Sequence, residues 1–378
     1  MKIAYFIDHL RGDGTQRALT QLVRGLGKRG HDQTVFCLNN SYDEVVLHEL
    51  RSTPADVRVV GKTALACGYG LLSTRRWLAQ EKFDAVVTML FAADVIGRLL
   101  AWSSGVPLIV SSLRARNVNY YRVQRWLVQA TMKLAHAVVV NSSHTREFAI
   151  GEEGVQTDRI FFIPNGVHAE DYTGTVDPGF LRKELGLGEN VRLLGTLGRL
   201  TEQKGIDVLL GALSLLRSQD VSLVIVGIGE QETKLRILAG RLNLESRVHF
   251  VGYRRDVPKL LRAFDIYVHP ARFEGMPNAV LEAMAAARPI VASSIDGIRE
   301  LIEDGVHGWL VPPGDPVGLA KAIEEAFNDP KEACRRSLLA RRRVIEKFSI
   351  DSMVVAWEAV LAHREMSLSQ KQAIDRYG

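Results

Sequence analysis

The chain has 378 residues, enough for two domains, and its 47% apolar and 24% charged residues describe a globular fold rather than a disordered or low-complexity chain. Three scattered cysteines, Cys37, Cys67 and Cys334, form no CxxC pair, which excludes a disulfide framework or zinc site and suits a reducing compartment. The net charge of +5 lies wholly in residues 1–170, with 20 Lys and Arg against 15 Asp and Glu.

The predicted elements begin with a strand at 2–8 that carries Asp8, so the start does not read as a secretory leader. A helix follows at 15–29, then strands at 33–38, 85–90 and 107–113, a helix at 121–135 and a strand at 137–142. The most apolar stretch, 85–101, is broken by Asp94 and Arg98, so no membrane span is expected; any membrane contact would be peripheral. No acidic residue occurs between Asp94 and Glu147, whereas Arg98, Arg114, Arg116, Arg122, Arg125, Lys133 and Arg146 do. A glycine- and proline-bearing segment, about 166–190, reads as a linker. The pattern then restarts, with strands at 192–198, 222–227, 247–252, 266–270, 289–293 and 308–313, and an amphipathic helix at 351–366 closes it.

Near-continuous apolar strands alternating with helices indicate parallel sheets covered on both faces. The expected fold class is therefore α/β, with two Rossmann-like, doubly wound domains facing a cleft. The limits read as 1–170 for the first domain, 171–348 for the second and 349–378 for the last helix. Ligands in such sheets bind beyond the carboxyl ends of the strands.

Those ends carry the chemistry in the second half. "GRLTEQKGID" (198–207) sets Gly198, Arg199 and Lys204 in one loop, which reads either as a forked donor and a point charge suited to a diphosphate or as a surface loop with two solvated cations. Gly227 makes a tight strand-to-helix turn, and Tyr253–Arg254 reads either as backbone that brackets a flat base or as an exposed loop before Asp256 and Pro258. "FEGMPNAVLEA" (273–283) must begin as loop, because Gly275 and Pro277 oppose a continuing strand or helix. Asn278 then reads as an N-cap, and the first N–H groups of the helix, around Ala279 and Val280, favour an anion. Glu274 lies at the helix mouth and Glu282 about one turn inside, two carboxylates fit to accept sugar hydroxyls. Together they suit a sugar nucleotide. In the first half, Tyr120, Tyr121, Arg122, Arg125 and Trp126 mix cations with aromatic rings. That composition suits either an anionic membrane surface or lipid-linked diphosphate, or a solvated basic helix packed through Trp126, Leu127 and Ala130. Nucleic acid is not expected.

At these residues the chain resembles the retaining glycosyltransferases of family four, which have the GT-B fold. The similar segments are 13–36, "IPNGVHAEDY" (163–172), 198–213, 223–235, 248–293 and 297–315, in the family's order. The resemblance implies that Arg199 and Lys204 bind the donor diphosphate and stabilise it as it leaves. It implies that Glu282 holds the ribose and Glu274 the sugar hydroxyls, with the backbone of Gly275, Met276 and Pro277 facing the sugar. Gly14 would bring its N–H to the phosphate, and the last helix would return to the first domain. The pattern departs at Asp13, where a glycine is usual, at His168, and at Arg114, where a histidine is usual near the reacting sugar. An arginine there would meet a phosphate or an anionic acceptor. The implied activity is retaining transfer from a nucleotide diphosphate sugar, UDP favoured over GDP, to a glycan or polyprenyl-diphosphate-linked acceptor in bacterial cell-surface polysaccharide assembly. The implied place is the cytoplasm or the inner face of its membrane. No D-x-D triplet occurs, so no metal or other cofactor is expected. Two alternatives are a soluble transferase onto a small sugar or polyol, and a sugar-nucleotide-binding scaffold without turnover.

Overall fold

The chain divides into two units in the computed structural model, which describes residues 1–11, 14–61, 63–64, 67–114, 120–175, 177 and 179–362. The first unit is Met1–Gly166 together with the chain from Ile350, and the second is Val167–Ser349. The first runs β1 (Lys2–Ile7), α1 (Gly14–Lys28), β2 (Asp32–Cys37), α2 (Glu44–Arg51), β3 (Asp56–Val59), α3 (Tyr69–Glu81), β4 (Ala85–Met89), α4 (Phe91–Ser103), β5 (Leu108–Leu113), α5 (Arg122–Met132), β6 (Ala137–Val140), α6 (Ser143–Gly151) and β7 (Ile160–Phe162). The second runs α7 (Phe180–Glu184), β8 (Arg192–Leu197), α8 (Ile206–Leu215), β9 (Val221–Val226), α9 (Glu232–Arg241), β10 (Val248–Phe250), α10 (Val257–Ala263), β11 (Ile266–His269), α11 (Asn278–Ala285), β12 (Ile290–Ser293), α12 (Asp296–Arg299), β13 (Trp309–Val311), α13 (Pro316–Asn328) and α14 (Pro330–Lys347). The last helix, α15 (Ile350–Leu361), belongs to the first unit.

Every strand pair is parallel. The first sheet has the order β3-β2-β1-β4-β5-β6-β7 and the second β10-β9-β8-β11-β12-β13. Strands buried on both faces explain the apolar runs: β5 and β9 are buried at every position. Alternate residues of β1 serve different layers. Ile3, Tyr5 and Ile7 join a core with Leu19, Leu22, Val354 and Trp357, whereas Ala4 and Phe6 face Leu78, Ala93 and Leu100. Two short edge strands, β3 and β7, are not among the predicted elements. Only four and three residues long, they carry too little periodicity to read.

Two polar devices are built into the apolar first unit. Asp8, just past β1, accepts the N–H groups of Ala92 (3.1 Å) and Ala93 (2.6 Å) and so caps α4 from across the sheet. The residue before that helix, Leu90, has a φ of 76° and supplies no side-chain cap. The Asp94 and Arg98 that interrupt the apolar stretch are a buried pair 3.1 Å apart, tied to Thr88 and Ser111.

Candidate active site

In the second sheet β8 and β11 are neighbours, and the strand order reverses between them. Successive crossovers leave this point in opposite directions, opening a crevice at the carboxyl ends. Three loops meet there at backbone distance. Gly227 has φ 139°, and a Cβ on it would stand 1.9 Å from the Gly198 carbonyl oxygen. Gly205 has φ 62°, and its Cβ would stand 2.1 Å from the Pro270 carbonyl oxygen. Both positions require glycine on sterics and on backbone conformation.

Side chains lock the 199–207 and 270–274 loops together. Arg272 grips Asp207 with two parallel bonds of 2.8 and 2.6 Å and donates to the Glu202 carbonyl at 2.9 Å. Gln203 Nε2 donates to the Phe273 carbonyl at 2.9 Å and to Glu274 Oε2 at 3.3 Å. Lys204 Nζ is hydrogen-bonded to Glu274 Oε1 as an ion pair. The Glu274 side chain is only 10% exposed. Burial alone would raise its pKa, but Lys204 and His269 outweigh that and hold it down to about 2. Glu274 is therefore a fixed, ionised acceptor at neutral pH.

The following helix starts one residue earlier than the sequence suggests. Pro277 is the N-cap, with no side-chain cap bond, and Asn278 is the first helical residue. Met276 and Pro277 are buried and Gly275 half-buried, and the Gly275 carbonyl packs against Gly297. Val280 N–H already returns to the Pro277 carbonyl at 3.1 Å, so it is taken up within the first turn of the helix. Half-buried Glu282 lies near enough to Tyr267 that its charge adds to the effect of burial in raising the phenol's pKa. Arg199 is exposed at the loop rim and Tyr253 is 43% exposed. The Arg254 side chain is bound to Asp256 and Glu184.

In the first unit, Gly14 opens α1. Arg114 follows β5, with Nη1 on Asn165 and Nε on Ser112 at 3.3 Å. Its Nη2 is shielded from solvent without a partner among the described residues. Arg116 lies outside the described residues. Tyr120 packs on Phe91 with ring centroids 5.0 Å apart. Tyr121 and Trp126 are 79% and 64% exposed, and Arg125 reaches Glu152 at 3.1 Å. Tyr120, Arg122, Arg125, Trp126 and Gln129 line an open pocket of about 240 Å³. The expectation that α5 packs through Trp126 and Ala130 is overturned, because both are exposed and its buried side is Val128, Thr131 and Met132. Among the described residues no cluster of His, Cys, Asp or Glu could hold a metal, and no helix is long and apolar enough to cross a membrane.

Sequence reading passed over His269, Tyr267, Gln203 and Arg272. A histidine ending an otherwise apolar buried strand, five residues before Glu274, is the one signal that would have drawn attention to this layer.

Two parallel-sheet α/β domains in series, the second with cations and carboxylates at its switch point, define a protein of the GT-B class. The profile described as "Glycosyl transferases group 1" matches residues 191–329, and that of a "Glycosyl transferase 4-like domain" matches residues 13–166. The chain belongs to this glycosyltransferase family. It is 29% identical over 292 residues to the UDP-Gal:alpha-D-GlcNAc-diphosphoundecaprenol alpha-1,3-galactosyltransferase of Escherichia coli, covering 74% of this chain and 75% of that one. To the amylovoran biosynthesis glycosyltransferase AmsK of Erwinia amylovora it is 34% identical over 173 residues, 43% of this chain and 42% of that one. The crystal structure of Anabaena Alr3699/HepE in complex with UDP and glucose superimposes with a TM-score of 0.86 at 23% identity, over 96% of this chain and 99% of that one, a likeness of fold.

Proposed function

We propose that the chain transfers a sugar, with retention of anomeric configuration, from a UDP-sugar to a lipid-linked glycan acceptor in the assembly of a bacterial cell-surface polysaccharide. The observation that carries this is the Lys204–Glu274 pair at the switch point, with Arg199 on the same loop and the α11 N-terminus beside it. Breaking the bond from the anomeric carbon to the diphosphate leaves negative charge on the phosphate. Arg199, Lys204 and the helix N–H groups are groups that stabilise it without a metal. Glu274 accepts sugar hydroxyls and Glu282 the ribose. As the new carbon–oxygen bond forms on the same face, the departing phosphate oxygen takes the acceptor's proton. The E. coli relative is named for a UDP-sugar and a diphosphoundecaprenol acceptor, and the Anabaena structure holds UDP. These support a uridine donor and a lipid-linked acceptor.

The acceptor side is the first unit. Tyr121, Val123 and Trp126 of α5 are exposed beside Arg122 and Arg125, as Leu99 and Trp102 are on neighbouring α4. Such a face suits an anionic membrane at which the acceptor resides.

The test is a thermal-shift and turnover series. UDP and UDP-sugars should raise the melting temperature more than GDP-sugars, because ligands of the native state stabilise it. Turnover should persist in EDTA, and Lys204→Ala should lower it about 100-fold or more in a folded protein. Anionic vesicles at low salt should bind the wild type and not a Trp126→Ala/Arg122→Ala variant. A preference for GDP-sugars, or full activity of Lys204→Ala, would sink the donor site. Activity independent of lipid would favour a small soluble acceptor.

A further inference from the structure

Glu274 has a second neighbour that the proposed reaction does not use. His269, the last residue of β11, is 1% exposed, and its Nε2 stands 3.5 Å from Glu274 Oε1 without a hydrogen-bond partner among the described residues. Its other nitrogen, Nδ1, is 2.9 Å from the hydroxyl of Tyr267, which is fully buried two residues earlier on the same side of the strand. A carboxylate only accepts hydrogen bonds, so a ring nitrogen turned toward it is favourable only if it carries the proton. In a neutral ring, Nε2–H then requires Nδ1 to accept, and the Tyr267 hydroxyl is the donor in place to supply that bond. Burial favours this neutral ring. Tyr267 therefore sets the tautomer of His269, and His269 aims a spare N–H at the carboxylate.

This donor is held in reserve. Lys204 is bound to Glu274 Oε1. Under the donor reading above, on which this inference rests, the same Lys204 must serve the diphosphate. Its departure would leave a buried carboxylate with only the Gln203 bond, a costly state that would favour protonation or rotation of Glu274. We propose that Tyr267 and His269 act as a positioning couple that takes over Glu274 when a nucleotide diphosphate engages Lys204. His269 Nε2–H closes from 3.5 Å to hydrogen-bond distance, and the carboxylate keeps its charge and its aim at the sugar hydroxyls. No proton is transferred in this exchange of partners.

The test separates orientation of the sugar from binding of the nucleotide. UDP affinity by calorimetry, and kcat and KM for the accepted UDP-sugar, are measured for wild type, His269→Leu, His269→Gln and Tyr267→Phe. His269→Leu should lower kcat by about 10- to 100-fold while UDP affinity stays within about threefold. His269→Gln, whose amide N–H can reach toward Glu274, should recover part of kcat. Tyr267→Phe, the mildest change, should lower kcat by a few fold. In the proton NMR spectrum, a histidine ring N–H resonance missing in His269→Leu should move downfield when UDP is added to wild type. In Lys204→Ala that resonance should already be shifted without UDP. A folded His269→Leu with wild-type kcat overturns the couple. So does a parallel fall of kcat and UDP affinity, and so does an unmoved resonance. Should His269→Leu not fold, the Tyr267→Phe kcat decides, with the resonance identified by its loss in His269→Gln. If wild type binds no nucleotide diphosphate at all, the donor reading falls first, and the exchange of partners falls with it.

Discussion

Arg114 can be probed for stability and for function separately. Burial pulls its pKa down to about 10, which still leaves it charged at neutral pH. Its partners are the neutral Ser112 and Asn165, and among the described residues no carboxylate pairs with it and Nη2 has no hydrogen bond. A half-buried cation that faces neutral partners among the described residues gains little from its charge, so its removal should not harm stability. Arg114→Met is expected to melt no lower than wild type, and up to about 5 °C higher. Transfer to a phosphate-bearing acceptor should fall at least about tenfold, with hydrolysis of the donor by water within about twofold of wild type. Differential scanning calorimetry and paired transfer and hydrolysis assays check this; a melting temperature several degrees lower would make Arg114 structural. At this scale the sequence was readable where chemistry breaks a pattern. Glu274 and Lys204 stand in a loop and a turn whose residue types oppose regular structure, and Glu282 follows one turn inside α11. His269 was not readable, because in a strand of Ile, Tyr and Val it looks like one more core residue. Only the 3.5 Å approach to Glu274 gives it a role.

Among the elements, α4 depends on a cap that no local sequence signal announces. Ordinary N-caps sit at the helix start, whereas here Asp8 arrives from the end of β1, 84 and 85 residues away in the chain. Burial, assisted by the nearby charge of Asp94, outweighs the two backbone bonds and lifts the Asp8 pKa from 3.8 to about 6. Because the folded value lies above the unfolded one, the folded state binds the extra proton between these two pH values. The group's stabilising contribution is complete below pH 3.8 and is lost as pH rises through about 6. Asp8→Asn removes that titration, keeping one acceptor for the helix. Urea midpoints should show the variant weaker relative to wild type at pH 4.5 than at pH 7.5, with the difference of order 1–2 kcal/mol. An unchanged difference between the two pH values would mean that Asp8 does not titrate in this window. Strands and long helices were legible because their apolar runs and 3.6-residue periods are strong. The edge strands β3 and β7 were not, being short and set by pairing with β2 and β6 rather than by their own composition.

For the molecule as a whole, the first unit is discontinuous in sequence and is completed by α15. Ile350, Met353, Val354, Trp357, Val360 and Leu361 are all buried with Leu19, Leu22 and Leu26 of α1 in one core. Arg29 and His31 hold Glu358 at 2.7 and 2.8 Å, fixing the helix at its outer side. Burying each large apolar side chain contributes about 1.5–3 kcal/mol, so the six together match or exceed the whole stability of an ordinary domain, about 5–15 kcal/mol. The unit boundary at Gly166 and the return at Ile350 were only approximately readable, as 170 and 349, since a helix's amphipathic pattern says that it must be covered and not by what. Trp357 is the largest fully buried side chain in the chain's described core. Trp357→Ala should cost about 3–5 kcal/mol through lost burial and the cavity left behind. Because α15 packs in the first unit and the Lys204–Glu274 site lies in the second, the loss should be selective. In hydrogen exchange, amides of β1, β2 and α1 should lose protection while those of β8, β9 and β11 keep theirs, and UDP binding should persist wherever the variant remains folded. Uniform loss of protection in both sheets would show instead that the two units unfold as one cooperative block.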